Sequence, residues 1–196
     1  IVWEIMSLSV FFLITFDHAY ETTRRAGSIC LIASQVGMVF LIILFGLLAG
    51  KEADFRFASW VGARSLSPAL LPPCFLLALV GFGTKAGFWF LHAWLPKAHA
   101  AAPSHLSAIL STVVTQMGLY GLLRTFTFLG SPHEGWGISL ITLGLISGML
   151  GILHALTQHD LRQMLAYSGI SHVGIILIGI GLSLLGQSTQ NNAMAF

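Results

Sequence analysis

From Ala26 to Gly50 the chain carries no formal charge, and a run that long and apolar leaves its backbone few options. About 20 apolar residues cross the hydrocarbon of a bilayer as a helix, inside which every N–H and C=O must find its partner within protein. The pattern recurs, wholly or in part, over Ile1 to Phe16, Pro68 to Leu95, Ser104 to Leu123, Gly135 to Gln158 and Gln163 to Leu185. Ile1 to Phe16 reads as the truncated end of a span. Short connections favour adjacent packing of successive segments. The expected fold is all-α: a polytopic transmembrane helix bundle of about six spans, taken as one membrane domain over residues 1–196.

Composition supports the bilayer and narrows the function. Charged residues make up 8% of the 196 and hydrophobic residues 56%, whereas a soluble domain carries about 25% charged residues. The formal net charge of +2 is small and scattered, and no basic run exceeds Arg24-Arg25, so no nucleic-acid partner is expected. Cys30 and Cys74 stand alone inside apolar runs and read as packed or lipid-facing thiols, not as a disulfide or a metal site. The chain starts with Ile1, shows no basic leader and breaks off in mid-pattern after Gln187 to Asn192, so it reads as an internal fragment without a visible signal peptide. Arg24, Arg25, Lys97 and Arg162 balance Lys51, Arg56, Arg64 and Arg124 on alternate connections, and the positive-inside rule assigns no orientation.

Lys85 is the exception that points to function. It is the only formal charge between Pro68 and Trp94, and an ammonium near a bilayer centre costs between about 3 and more than 10 kcal/mol unless it is paired or hydrated. Gly81, Gly83 and Gly87 surround it, each weakening a helix by about 1 kcal/mol relative to Ala, so a discontinuous helix is expected around Gly81 to Gly87. Irregular backbone at that depth is tolerated where it is buried in protein or lines a hydrated cavity, where a lysine also finds partners. Close helix packing would explain the glycines but not the lysine. Glu4 is the acid set equally far from an interface. Beyond the break, Pro96 and Pro103 bracket a connection read as unable to form continuous helix, with Ser104 positioned to cap the next one.

Other polar residues fall on helix faces. His92 lies seven residues beyond Lys85, and His99 falls at the next such step with Pro96 between them. Ser104, Ser107, Ser111 and Thr115 form a stripe joined by Thr112 and Gln116. Ser147, Gly151, His154 and Gln158 form another, and Ser168, Ser171 and His172 a third. Together they would make a hydrated seam for proton relay, with His92, His154 and His172 as carriers that titrate near neutrality. The plainer alternative has the histidines as hydrogen-bonded structural residues and the hydroxyls bonded back to the preceding turn. His99, His105, His133 and His159 lie near span ends and read as solvated. Metal and nucleotide sites are not supported: histidines at i, i+4 spacing are missing, and the glycine run is G-x-G-x-x-x-G without a preceding strand. No cofactor is expected in this chain, and any redox centre would sit in another subunit.

In order along the chain stand Trp3-Glu4-Ile5-Met6, Arg24-Arg25-Ala26-Gly27, Gly83-Thr84-Lys85-Ala86-Gly87, Leu91-His92-Ala93-Trp94-Leu95-Pro96-Lys97-Ala98-His99, Ala102-Pro103-Ser104, His159-Asp160-Leu161-Arg162, Leu165-Ala166-Tyr167-Ser168 and Gly174 to Gly179. These motifs resemble the proton-translocating antiporter-like membrane subunits shared by respiratory complex I, Mrp-type cation/proton antiporters and membrane-bound hydrogenases. The first and last look most like the hydrogenase members of formate-hydrogenlyase and hydrogenase-4 type. The resemblance implies a prokaryotic inner-membrane subunit and a proton channel in which Glu4 and Lys85 are the switching pair beside the helix break. It implies neighbouring membrane subunits and a peripheral hydrogenase or quinone-reductase arm as partners, with the chain supplying the first of two inverted repeats. An Mrp-type Na+/H+ antiporter, a complex I subunit and a non-conducting membrane anchor are the alternatives. The pattern departs from the family where many relatives carry a lysine and this chain has Gln116, where others carry a histidine near Ser111, and where hydrogenase-type relatives carry His and Glu near Ser168 and Ser171. A glutamine holds no proton charge.

Overall fold

The computed structural model describes residues 2–50, 60, 67–130 and 133–189. Lys51, Arg56 and Arg64 of the charge count, and Gln190 to Asn192, lie outside the described residues. Among the described residues the main helices are α1 Val2–Ile14, α2 Glu21–Ala49, α3 Leu71–Ala86, α4 Leu95–Ala101, α5 Ser104–Leu129, α6 Glu134–Thr157 and α7 Leu161–Ser188, with short 3-10 turns at Thr15–Asp17 and Pro68–Leu70. Of these, α2, α5, α6 and α7 are long and apolar enough to cross a membrane. The all-helical bundle is therefore the observed fold, while the third expected span, Pro68 to Leu95, is helical only as far as Ala86 and ends in a break; α4 lies in the connection expected after it.

Helix ends follow local chemistry. Pro72 and Pro73 occupy the first turn of α3, where a missing N–H costs nothing. Gly50 closes α2 at φ 60°. Asp160 accepts from the Arg162 N–H at 3.1 Å to start α7, and His133 Nδ1 accepts from the Gly135 N–H at 3.2 Å to start α6. Pro96 does not stop a helix but opens α4, again at the tolerated first turn, so the segment between Pro96 and Pro103 is largely helical. Ser104 is the first residue of α5 and makes no cap; Pro103 holds that position, and the Ser104 hydroxyl instead receives Arg162 Nη2 at 3.4 Å.

Two apolar clusters hold the bundle. One joins α2, α3, α5, α6 and α7 through Leu44, Phe75, Leu122, Trp136, Leu140 and Leu177. Within it Phe75 stacks on Trp136 at 5.0 Å and on Phe126 at 5.6 Å. The other gathers Val10, Cys30, Trp94, Leu106, Leu110 and Ile170 around α4. Cys30 and Cys74 are both buried free thiols, as read from sequence. Outward faces carry exposed Val39, Ile43, Met149, Leu156 and Ile175, which suits a lipid solvent in which apolar exposure carries no penalty.

Helices α6 and α7 approach backbone to backbone. A Cβ built at Gly174 would stand 2.5 Å from the Gly148 nitrogen and 2.6 Å from the Gly144 oxygen, whereas one at Gly179 would meet nothing within 4 Å. Small residues permit this proximity where hydrophobic burial cannot drive association. Gly174→Ala should destabilise the full-length protein by about 1–3 kcal/mol, and Gly179→Ala should leave it unchanged or gain up to about 1 kcal/mol. Thermal unfolding of the purified protein in detergent checks the pair, and equal effects at both positions would contradict the packing described.

Candidate functional site

The Lys85 side chain is 1% exposed and sits in the last turn of α3. A cation there meets the negative end of the helix dipole. Gly87 ends the helix in left-handed geometry, φ 71° and ψ 32°, and its N–H reaches the Gly83 oxygen at 2.8 Å. The discontinuity is present, with its edge at Gly87. Gly81 and Gly83 lie inside the helix and serve contact: a Cβ at Gly81 would press on Leu41, and one at Gly83 on Phe88 and Leu91.

The break from Gly87 to Trp94 is tied down by specific bonds. Trp94 folds back so that its indole Nε1 donates to the Thr84 oxygen at 2.7 Å, satisfying a carbonyl the helix leaves open. The Trp89 N–H donates to Ser147 Oγ of α6 at 2.9 Å. Phe90 adopts φ 79° with an outward side chain, a conformation costing a non-glycine residue about 1–2 kcal/mol. These bonds meet the rule that non-helical backbone at membrane depth must be satisfied by protein.

Lys85 Nζ donates to Ser34 Oγ of α2 at 2.9 Å, and that hydroxyl donates on to the Cys30 oxygen at 2.8 Å. Glu4 of α1 accepts from the amide of Gln35, the next residue of α2. The other carboxylate oxygen, Oε2, is buried with no hydrogen-bond partner. No ion pair joins Glu4 to Lys85; each instead bonds one of two adjacent residues of α2, Gln35 and Ser34. Neither Ser34 nor Gln35 was singled out from sequence, since nothing local marks them as the link between two helices.

The remaining polar residues form two groups instead of one seam. His92 stacks on Trp89 at 4.3 Å, and Trp89 and Tyr167 each approach His154, at 5.1 Å and 5.5 Å. His92 Nδ1 is buried without a partner, and His154 Nδ1 bonds the Leu150 oxygen at 2.9 Å. The second group surrounds a cavity of about 280 Å³ between α4, α5 and α7, whose polar lining is His99, Ser111, Thr115, Gln116, Ser168 and His172. His172 is thus parted from His154. Ser171 is not in the lining and donates to the Gly148 oxygen at 3.0 Å across the α6–α7 contact.

His99 reads from sequence as solvated near a span end, and the structure corrects this. It is 2% exposed, its Nδ1 lies 2.6 Å from Ser107 Oγ, and its Nε2 is buried and unpartnered at the cavity. Pro96 starts the helix that carries it inward. Beside the cavity, α5 relaxes into a π-helical turn over Leu110–Val114, a feature often found where a helix wall serves a site. The hydroxyls of Ser111, Thr112 and Thr115 bond back to carbonyls of the preceding turn, as the plainer reading of the stripe has it. Among the described residues no cluster of three or more metal-binding side chains occurs.

Comparison with known proteins places this geometry in context. A family model described as "NADH:quinone oxidoreductase/Mrp antiporter, TM" matches residues 1–196. Hydrogenase-4 component B of Escherichia coli K12 is 41% identical over 195 residues, covering 97% of this chain and 29% of that protein. Formate hydrogenlyase subunit 3 of the same organism is 33% identical, covering 97% and 30%. An NAD(P)H-quinone oxidoreductase chain 4 of a Synechococcus strain is 33% identical, covering 92% and 34%. The chain therefore spans about a third of the length of these relatives. Among solved structures, a chain of the membrane-bound sulfane sulfur reductase, an archaeal respiratory membrane complex, superposes with a TM-score of 0.82 at 24% identity, covering 98% of this chain and 41% of that one, and shares the fold.

Removing one partner of a buried charged hydrogen bond leaves the other desolvated and unpaired, at about 1–3 kcal/mol or more. Ser34→Ala should therefore destabilise the protein, and the loss should shrink when Lys85 is already methionine. A double-mutant cycle of Ser34→Ala and Lys85→Met on unfolding checks this; strict additivity would show that the hydroxyl does not serve the ammonium.

Proposed function

Because the chain belongs to the NADH:quinone oxidoreductase/Mrp antiporter membrane family, we propose that it forms the first half-channel of a proton-translocating subunit in a redox-driven complex of hydrogenase-4 or formate-hydrogenlyase type. The complex would lie in a prokaryotic inner membrane, with other membrane subunits and a peripheral hydrogenase arm as partners. The observation that carries the reading is Lys85: fully buried, at the end of a broken helix, and answered across α2 by Glu4. The likeness to hydrogenase-4 component B and formate hydrogenlyase subunit 3 favours the hydrogenase arm. The likeness to quinone-oxidoreductase chains supports a complex I setting as the second reading, told apart by whether a nickel-iron or a quinone-reducing module co-purifies.

Glu4 and Lys85 act as the switching pair. The Glu4 Oε2 atom has no bond to break before taking or releasing a proton, and Lys85 Nζ uses one of its three donors on Ser34. A shift of the ammonium away from Ser34 and toward Glu4 would rearrange charge over a short distance, and one charge moved through 100 mV is worth about 2.3 kcal/mol. His92 within the break and His154 of α6 carry protons along the aromatic group. In the cavity, Gln116, Ser111, Thr115 and Ser168 hold water beside the imidazoles of His172 and His99. His99 supplies there the protonatable nitrogen that Gln116 does not. No cofactor is assigned to this chain, and the redox chemistry resides in the partner arm.

In proteoliposomes of the full complex, Lys85→Met should lower proton translocation per turnover at least about tenfold, the scale of losing a positioned proton carrier, while assembly persists. Undiminished translocation in an assembled variant would refute the role. His99→Asn should lower flux, whereas His133→Asn, altering an exposed helix cap, should leave it at the parental level; equal flux in both variants would remove His99 from the path.

A further inference from the structure

A second cavity, of about 540 Å³, opens between the first turns of α2 and helix α4, with Thr22, Arg25, Ile29, Lys97, Ala101 and Gln163 in its lining and no acid among the lining residues. Its level in the membrane follows from topology. Helices α2, α5 and α7 begin at this face and α6 ends there, and Arg162 ties the start of α7 to the Ala102 oxygen at 2.9 Å. The uncharged run of α2 starts at Ala26, directly after Arg25. The cavity therefore sits where phospholipid headgroups meet the acyl region.

The described cations divide into two classes. Arg24 donates to the His18 and Ala19 oxygens, Arg162 to Ala102 and Ser104, Arg124 lies over the Phe128 ring, and Lys85 holds Ser34. Arg25 and Lys97 have no hydrogen bond, ion pair or ring contact with any described residue. Both are exposed, on different elements, and both line this cavity. Tyr20, which precedes α2, offers no side-chain cap, so first-turn N–H groups also stand open beside them. Below this rim the floor is apolar, and Ile29 continues down α2 into Ile32 and Val36, which are 63% and 46% exposed.

We infer that this cavity binds the anionic headgroup of a phospholipid, with Arg25 and Lys97 on the phosphate and an acyl chain along Ile29, Ile32 and Val36. The guanidinium fork suits two phosphate oxygens at once, and the ammonium adds a point charge. A free inorganic phosphate would meet the same two cations but gain nothing from the apolar floor, so the lipid is the occupant that uses every part of the site. An acidic segment from elsewhere in the full-length protein or its complex would use the charges alone.

The test is native mass spectrometry of the full-length subunit in its complex, titrated with phosphatidylglycerol or phosphatidylcholine. Replacing both cations in an Arg25→Gln/Lys97→Gln variant should weaken retained phosphatidylglycerol by about twenty-five-fold, at roughly fivefold per basic side chain near an anionic surface. Phosphatidylcholine retention should not change, and the charge-conserving Arg25→Lys/Lys97→Arg variant should keep the binding, which separates lost charge from lost fold. Inorganic phosphate in large excess should leave the lipid in place. Equal phosphatidylglycerol retention by the parent and the glutamine variant would overturn the proposal, as a site filled by protein or never used would give. Displacement of the lipid by inorganic phosphate would overturn it as well.

Discussion

An ammonium buried away from bulk solvent must find polar partners inside the protein, and the arrangement around Lys85 follows from that need. It lies at a helix end, where the dipole helps and where open carbonyls demand partners. Trp94 answers one carbonyl from the far end of the break, Ser147 receives an N–H from within it, and Ser34 receives the ammonium itself. Each bond comes from a different element. The break is thus fixed by the bundle, and the bundle around α4 is in turn shaped by the break.

Close backbone approach makes this geometry possible. Gly37 of α2 faces Gly81 and Thr84 of α3, and Gly118 of α5 faces the backbone of Phe82 and Ala86, so the last turns of α3 are clasped on two sides where a side chain would hold the helices apart. The two apolar clusters supply dispersion contact. Within this frame the polar side chains are few and placed individually: a carboxylate with one free oxygen, an ammonium on a hydroxyl, and two histidines with a buried unpartnered nitrogen.

Much of the fold was legible because lipid forces it. Uncharged runs give α6 and α7 with ends within three residues of those observed and α2 apart from its first five residues, Glu21 to Arg25, and the lysine with its glycines marks the break. What sequence could not give was contact between distant elements. The partners Ser34 and Gln35 carry no local signal. His99 was misplaced because Pro96 reads as a stop, although at a first turn proline starts a helix; its step of seven from His92 and the small alanines around it, which permit deep packing, were the available clues. The histidine group beyond Lys85 divided because Tyr167 and His172 leave α7 on different faces, one toward His154 and the other toward the α5 cavity. The π-helical turn also shifts the register that a regular stripe of Ser and Thr assumes.

Lys85 is read as a mid-membrane ammonium, with Glu4 held on the neighbouring residue of the same α2 helix that holds it. This arrangement is tested most directly by an experimental map of the full-length subunit in a lipid nanodisc at a resolution that shows ordered water. The account predicts Lys85 Nζ within hydrogen-bonding distance of Ser34 Oγ, and a chain of waters or side chains continuous from there to the Glu4 carboxylate. A lysine directed to the headgroups, or a dry apolar gap between the two residues, would contradict it.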